Sequence, residues 1–226
     1  MKNRLWMKLS LVVFSAALLV PTSIAKETAQ ASIQETKHGE PYIKAYDAKG
    51  NLLKSYSDKE IAILIEEAEE SDRLLAVKSK NNEGSPAAYF YDENNLLIDS
   101  TDKDAVNVQK AAVAKLKASG CSVYRYDSAS FRKHVTVAGG RYFKNPQSMT
   151  VSPQQQADTL VIQAYKQGAS APAGSIQLGN FSGSVHVPLV EITQHTLGAG
   201  NYKIQLGHAD SAGHVTSLKS GTLYYQ

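Results

Sequence analysis

One stretch of this chain repeats itself, and that limits its fold more than any other feature. Residues 46–60 read Tyr-Asp-Ala-Lys-Gly-Asn-Leu-Leu-Lys-Ser-Tyr-Ser-Asp-Lys-Glu, and residues 91–104 read Tyr-Asp-Glu-Asn-Asn-Leu-Leu-Ile-Asp-Ser-Thr-Asp-Lys-Asp. With one residue dropped from the turn, Tyr46-Asp47 aligns with Tyr91-Asp92 and Asn51-Leu52-Leu53 with Asn95-Leu96-Leu97. Ser57-Asp58-Lys59-Glu60 then aligns with Thr101-Asp102-Lys103-Asp104. Residues 42–47 alternate as a strand does, Gly50-Asn51 suits a hairpin turn, and Leu52 begins a returning strand. Asp47 and Asp92 are expected to shape those turns by accepting from nearby backbone N–H groups. A paired ligand site built on the two Tyr-Asp dyads is the functional alternative. Ser57 with Glu60, and Thr101 with Asp104, have capping-box spacing, so a helix should follow each hairpin. In the first helix Ile61, Leu64, Ile65 and Ala68 form one apolar face, with a solvated glutamate run mostly opposite. In the second, Ala105, Val108, Ala112, Val113 and Leu116 do the same, and Gly120 is the stop. Strands are expected at 74–78 and 122–126. Residues 41–127 thus read as two ββαβ units, packed most simply as one antiparallel sheet with both helices on a single face, an α+β layer. Two copies are too few for a solenoid.

From residue 130 onward no helical period persists. Short alternating runs recur instead at 134–137, 148–151, 159–165, 174–178, 184–189, 201–206 and 215–225, separated by Gly, Pro, Asn and Ser. About seven strands in about a hundred residues fit a β-sandwich. Pro188 lacks an N–H and marks an edge or bulged strand. The segment Leu197-Gly198-Ala199-Gly200-Asn201-Tyr202-Lys203-Ile204 resembles the Gly-x-Tyr strand start of accessory β-sandwiches in secreted bacterial proteins. That resemblance implies architecture alone.

The N-terminus reads as a secretory leader. Lys2, Arg4 and Lys8 form a basic start, residues 9–20 an apolar run, and Ala29-Gln30-Ala31 a small-x-small cut site. The run falls short of the ~20 residues a membrane span needs. The leader is similar to those of Gram-positive secreted proteins, which implies an extracellular chain without integral membrane association once cleaved. The expected organisation is leader 1–31, α+β repeat domain 32–127 and β-sandwich 128–226. The full chain holds 24 basic and 21 acidic residues. Four of the basic and one of the acidic residues lie in 1–31, which leaves 20 of each beyond it. Nucleic-acid binding needs a surplus of Lys and Arg to displace counterions, so no nucleic-acid partner is expected. The balance is uneven along the chain. Residues 32–127 carry net −4 and residues 128–226 net +4.

Catalytic signatures are sparse. His208, Asp210 and His214 crowd one hairpin loop and have the chemistry of zinc ligands, but their spacing matches no established motif. They are the candidates should the chain hold zinc; otherwise no cofactor is expected. Cys121 is a lone thiol and cannot form an internal disulfide; a buried, inert role is expected of it. Gly179-Asn180-Phe181-Ser182-Gly183 places its serine one position late for a nucleophile elbow. The expected function is therefore non-catalytic: a secreted protein whose sandwich binds an anionic cell-wall polymer or a protein partner. Arg132, Lys133, Arg141 and Lys144 would supply the charge, and Tyr202 a weak stacking platform beside Tyr142, Tyr165, Tyr224 and Tyr225. The alternatives are a secreted hydrolase, metal-assisted through His208, Asp210 and His214 or dependent on Cys121, and a secreted inhibitor or effector.

Overall fold

Strands of period two build the main core of the computed structural model, which describes residues 39–75, 88–101, 103–118, 120–157, 159–209 and 215–226. The first half holds β1 (Tyr42–Asp47), β2 (Leu52–Ser55), α1 (Asp58–Leu75), β3 (Tyr89–Tyr91), β4 (Leu97–Ser100), α2 (Lys103–Ala118) and β5 (Ser122–Tyr126). Then come β6 (Ala129–Phe131), β7 (His134–Thr136), a 3-10 turn at Val137–Gly140, β8 (Phe143–Lys144), β9 (Ser148–Val151) and β10 (Leu160–Lys166). The chain ends with β11 (Gly174–Gly179), β12 (Val185–Pro188), α3 (Gln194–Leu197), β13 (Asn201–His208), β14 (Thr216–Leu218) and β15 (Gly221–Tyr225). Among the described residues 43% are strand and 22% helix, a sheet-rich α+β fold. No described helix is long and apolar enough to cross a membrane.

The largest sheet has the antiparallel order β2-β1-β11-β10-β13-β7, with β8 also on β13. Its inward residues alternate along each strand as the pleat requires: Ile43 and Ala45, Ile176 and Leu178, Leu160 and Ile162, Ile204 and Leu206. A second sheet, β12-β9-β15-β5, turns Val185, Val187, Met149, Val151, Leu223 and Tyr126 into the same hydrophobic cluster. Pro188 falls on β12, the edge of that sheet, where its missing N–H costs no ladder bond. Helix α1 lies against β12 and β9 with Ile61, Leu64 and Ala68 buried, the face its period predicts.

The packing departs from the expected layout in three ways. First, β1 pairs with β11 along its whole length, Tyr42 opposite Gly179 through Asp47 opposite Gly174, and β5 pairs with β15. Both pairings cross the boundary expected at 127/128. Second, the two hairpins do not share a sheet: β1–β2 join the large one, while β3–β4 stand as a two-stranded sheet of their own. Third, α2 is turned from its expected face. Val106, Gln109 and Ala112 are buried, whereas Val108 is 54% exposed. The reason is polar. The Gln109 carboxamide oxygen accepts from the Leu97 N–H, so a residue that an apolar pattern passes over is drawn inside. The side chains of Ala105 and Leu116 lie outside the described residues, as do 76–78 of the strand expected at 74–78; α1 extends through Leu75.

The local chemistry of the hairpins follows expectation more closely. Asp47 Oδ1 accepts from the N–H groups of Lys49 and Asn51, both at 2.8 Å, and Asp92 Oδ1 accepts from those of Asn94 and Leu96 at 2.8 and 2.9 Å. Each carboxylate shapes a turn. Gly50 and Asn95 sit at φ +84° and +56°, the left-handed region open to glycine and tolerated by asparagine. Register shifts fall between Ala45 and Tyr46 in one hairpin and between Phe90 and Tyr91 in the other. All these pairs, and the helix starts Asp58 and Lys103, are 45 positions apart. The turns and helix starts thus match without the deletion expected in the turn. The capping box of α1 forms: the Glu60 carboxylate accepts from Ser57 N–H at 2.9 Å, and the Glu60 N–H lies 3.4 Å from the Ser57 hydroxyl. The Thr101 hydroxyl instead accepts from Ala88 N–H at 3.2 Å. The Asp104 side chain lies outside the described residues.

Candidate functional site

The basic residues singled out in the second half do not form one pocket. Arg132 and Lys133 are exposed in the bend between β6 and β7, and Lys144 is exposed on β8. Strand β7 meets β13 at Gly207, Leu206 and Gln205, while β8 meets it at Tyr202 and Asn201. From Tyr202 to Gly207 the strand rises about 17 Å, so these cations are strung along one side of β13. Arg141 has a packing role: its guanidinium carbon lies 5.3 Å from the Phe143 ring centre and 5.6 Å from that of Tyr124. It also donates to the Glu93 carbonyl at 3.1 Å.

Tyr202 is no surface platform. Its ring is fully buried, and its hydroxyl lies 2.6 Å from the Gly198 carbonyl and 3.2 Å from that of Thr193. A buried phenol that finds carbonyl partners is well satisfied, and burial raises its pKa. Tyr224 is buried too and bonded to Ser71, while Tyr225 donates to Asn94 Oδ1 at 3.2 Å. Of the tyrosines considered for stacking, Tyr142 is the exposed one.

The metal candidates divide. His208 ends β13, half-buried, while Asp210 and His214 lie outside the described residues. Among the described residues no group of three His, Cys, Asp or Glu side chains is arranged to hold a metal ion. Cys121 is a free, half-buried thiol just before β5.

A different cluster brings several ionisable groups together. Strand β2, the first turns of α1, β12 and the turn after it border an open recess of about 330 Å³. Lys54, Tyr56, Glu60, Glu67, His186 and Glu191 supply its polar lining, and Ile63, Leu64 and Pro188 its apolar one. The Lys54 Nζ lies 3.4 Å from Glu60 Oε1, 3.6 Å from Glu191 Oε1 and 4.3 Å from the Tyr56 ring centre. Three features that attract a cation thus meet at one ammonium. Glu60 serves two roles, since the same carboxylate caps α1; the Ser57 bonds, more than Lys54, hold its carboxyl below the usual range. Glu191 is only 16% exposed and binds His195 Nδ1 at 3.0 Å on its outer side.

Two buried groups at this recess lack partners. The Tyr56 side chain is 8% exposed, and its hydroxyl is buried without a hydrogen bond. Burial pushes the phenol well above its ordinary pKa, and the Glu191 and Glu60 charges push it further; Glu191 lies close without the geometry of a bond. His186 Nδ1 is likewise buried and unpartnered, with its ring 5.5 Å from that of Tyr224. Burial pulls the imidazole pKa down to about 4, so it is neutral near pH 7. The recess then carries three carboxylates against one ammonium. Sequence reasoning missed this site because Lys54 and Glu60 meet His186 and Glu191 only through the fold. One signal was available: Glu191 is one of three acidic residues after 127.

Compared with protein-family models, curated proteins and solved structures, the chain matches none.

Proposed function

We propose that the protein is a secreted, non-catalytic binding protein that attaches to an anionic cell-wall polymer through the basic flank of β13. The observation that carries this reading is the placing of Arg132, Lys133 and Lys144. All three are exposed, none forms an ion pair among the described residues, and all lie along the same side of one strand. A row of cations about 17 Å long suits an extended polyanion better than a small ligand. Export by the leader at 1–31 would bring the chain to such a polymer.

Co-sedimentation of residues 32–226 with purified Gram-positive walls tests the proposal. Pelleting is expected at low salt and lost at high salt, because exposed charges are screened within about 10 Å at 0.1 M. Replacing Arg132, Lys133 and Lys144 together by glutamate should weaken it by roughly tenfold or more. Arg141 is left intact, since reversing it would break a packed stack. Undiminished pelleting of the triple variant would overturn the proposal.

A further inference from the structure

We propose that the recess between β2, α1 and β12 is a binding site for a primary alkylammonium group, held in a self-liganded state by Lys54. The cage already shows what it takes. A primary ammonium sits 3.4 and 3.6 Å from two carboxylates and 4.3 Å from the centre of an aromatic face. The occupant is a side chain from edge strand β2, long, flexible and over a third exposed, so it can leave without unfolding anything. Tyr56 is nine-tenths buried on the recess wall, and its hydroxyl lies near Glu191 without the geometry of a hydrogen bond, whereas buried polar groups are nearly always bonded. An incoming ammonium carries the same three N–H donors as Lys54, but without the tether to β2 it is free to place one on the phenolic oxygen as well as on Glu60 and Glu191. Glu67, which also lines the recess, forms no ion pair among the described residues. It offers a second anchor to a ligand with two charged ends. The exposed Ile63 and the Leu64 and Pro188 side chains give an alkyl stem an apolar wall.

The ligand class is therefore a primary amine on an apolar stem, whether a free diamine or a lysine side chain of a peptide. The site stands apart from the basic flank: β2 and β7 are the two edges of the large sheet, separated by about 24 Å of strand spacing. Either proposal can fail without the other.

Amide-resolved NMR titration of residues 32–226 with cadaverine and, separately, with Nα-acetyl-lysine amide tests the site. Shifts confined to β2, the start of α1 and β12 are expected. Response to both amines assigns the site to the ammonium itself; response to one names the source. Lys54→Met should tighten binding by roughly tenfold, because the resident competitor is gone. Glu191→Gln should weaken it by a similar factor, and Tyr56→Phe by less, with the ring retained in both. Glu69→Gln removes an equal charge from α1 outside the recess and controls for general attraction. Absence of localised shifts at millimolar amine, or equal effects of Glu67→Gln and Glu69→Gln with no tightening by Lys54→Met, would overturn the inference. The spectra themselves report whether each variant is folded.

Discussion

Hairpin β1–β2 buries its leading strand, with Ile43 and Ala45 fully hidden, and leaves Leu52 and Leu53 of the returning strand exposed. Hairpin β3–β4 does the reverse: Phe90 and Tyr91 are exposed on the leading strand, and Leu97 of the returning strand is buried. Yet the two turns use the same aspartate chemistry and the same left-handed position. What differs is the attachment. The first hairpin is held along its length, because β11 pairs with every residue of β1. The second is held by α2, where Gln109 accepts from Leu97 N–H, and at its tip, where Arg125 N–H donates to the Asn94 carbonyl at 2.9 Å and Asn95 Nδ2 donates to the Arg125 carbonyl at 2.9 Å. Local chemistry sets the turn, and the neighbour decides which strand goes inside.

The sharpest test compares one buried residue from each hairpin. Ile43 belongs to the large core, Leu97 to a small cluster with Val106 and Tyr89. Ile43→Ala should cost about 4 kcal/mol, and Leu97→Ala about 2 kcal/mol, since a small cluster can collapse onto the space left. Urea unfolding of both variants reads the difference. Equal losses would mean that the two attachments are equally deep, and the contrast would go. A smaller effect concerns the tips. Asn95→Ala removes one of the two bonds to β5 and puts alanine at positive φ, for about 2 kcal/mol together. Gly50→Ala meets only the strain, about 1 kcal/mol, because nothing lies within reach of an added Cβ. If Gly50→Ala proved the costlier, the second hairpin would not be tip-anchored.

Much of this was legible from the residues alone, wherever cause and effect lie within a few positions. The Asp47 and Asp92 turns, the Ser57–Glu60 cap, the Gly120 stop at φ +79° and the edge position of Pro188 all depend on immediate neighbours. Alternation likewise located β10, β12 and β13, because a pleat writes burial into every second residue. Partners were not legible. Nothing in residues 42–47 distinguishes β11 from any other apolar strand, so alternation alone does not say which sheet β1 joins. Polar residues in buried places misled in the same way. Gln109 and Tyr202 go inside because specific backbone groups receive them, Leu97 N–H in one case and the Gly198 carbonyl in the other. The amine recess joins both difficulties: its groups are polar, and they come from segments more than a hundred residues apart.

The smallest expected effect again sets the first turn apart. The Asp47 carboxyl is held below its ordinary value of 3.8, first by the Asn51 side-chain bond and then by the Asn51 and Lys49 backbone bonds. A carboxyl whose folded pKa is depressed binds its proton less readily in the folded chain than in the unfolded one. Its contribution is therefore fully present above about pH 4 and is lost as the pH falls through the folded value. His186 acts in a separate, higher window. Its folded pKa of about 4 lies below the ordinary 6.5, so the unfolded chain takes up the proton first and stability falls between pH 6.5 and 4. Asp47→Asn should flatten the acid limb of the stability profile below pH 4 and leave the His186 window unchanged. His186→Phe should do the opposite. A profile of unfolding midpoints from pH 7 to 2.5 for both variants separates the two groups. Loss of both limbs in Asp47→Asn would show that the turn is coupled to the recess rather than independent of it.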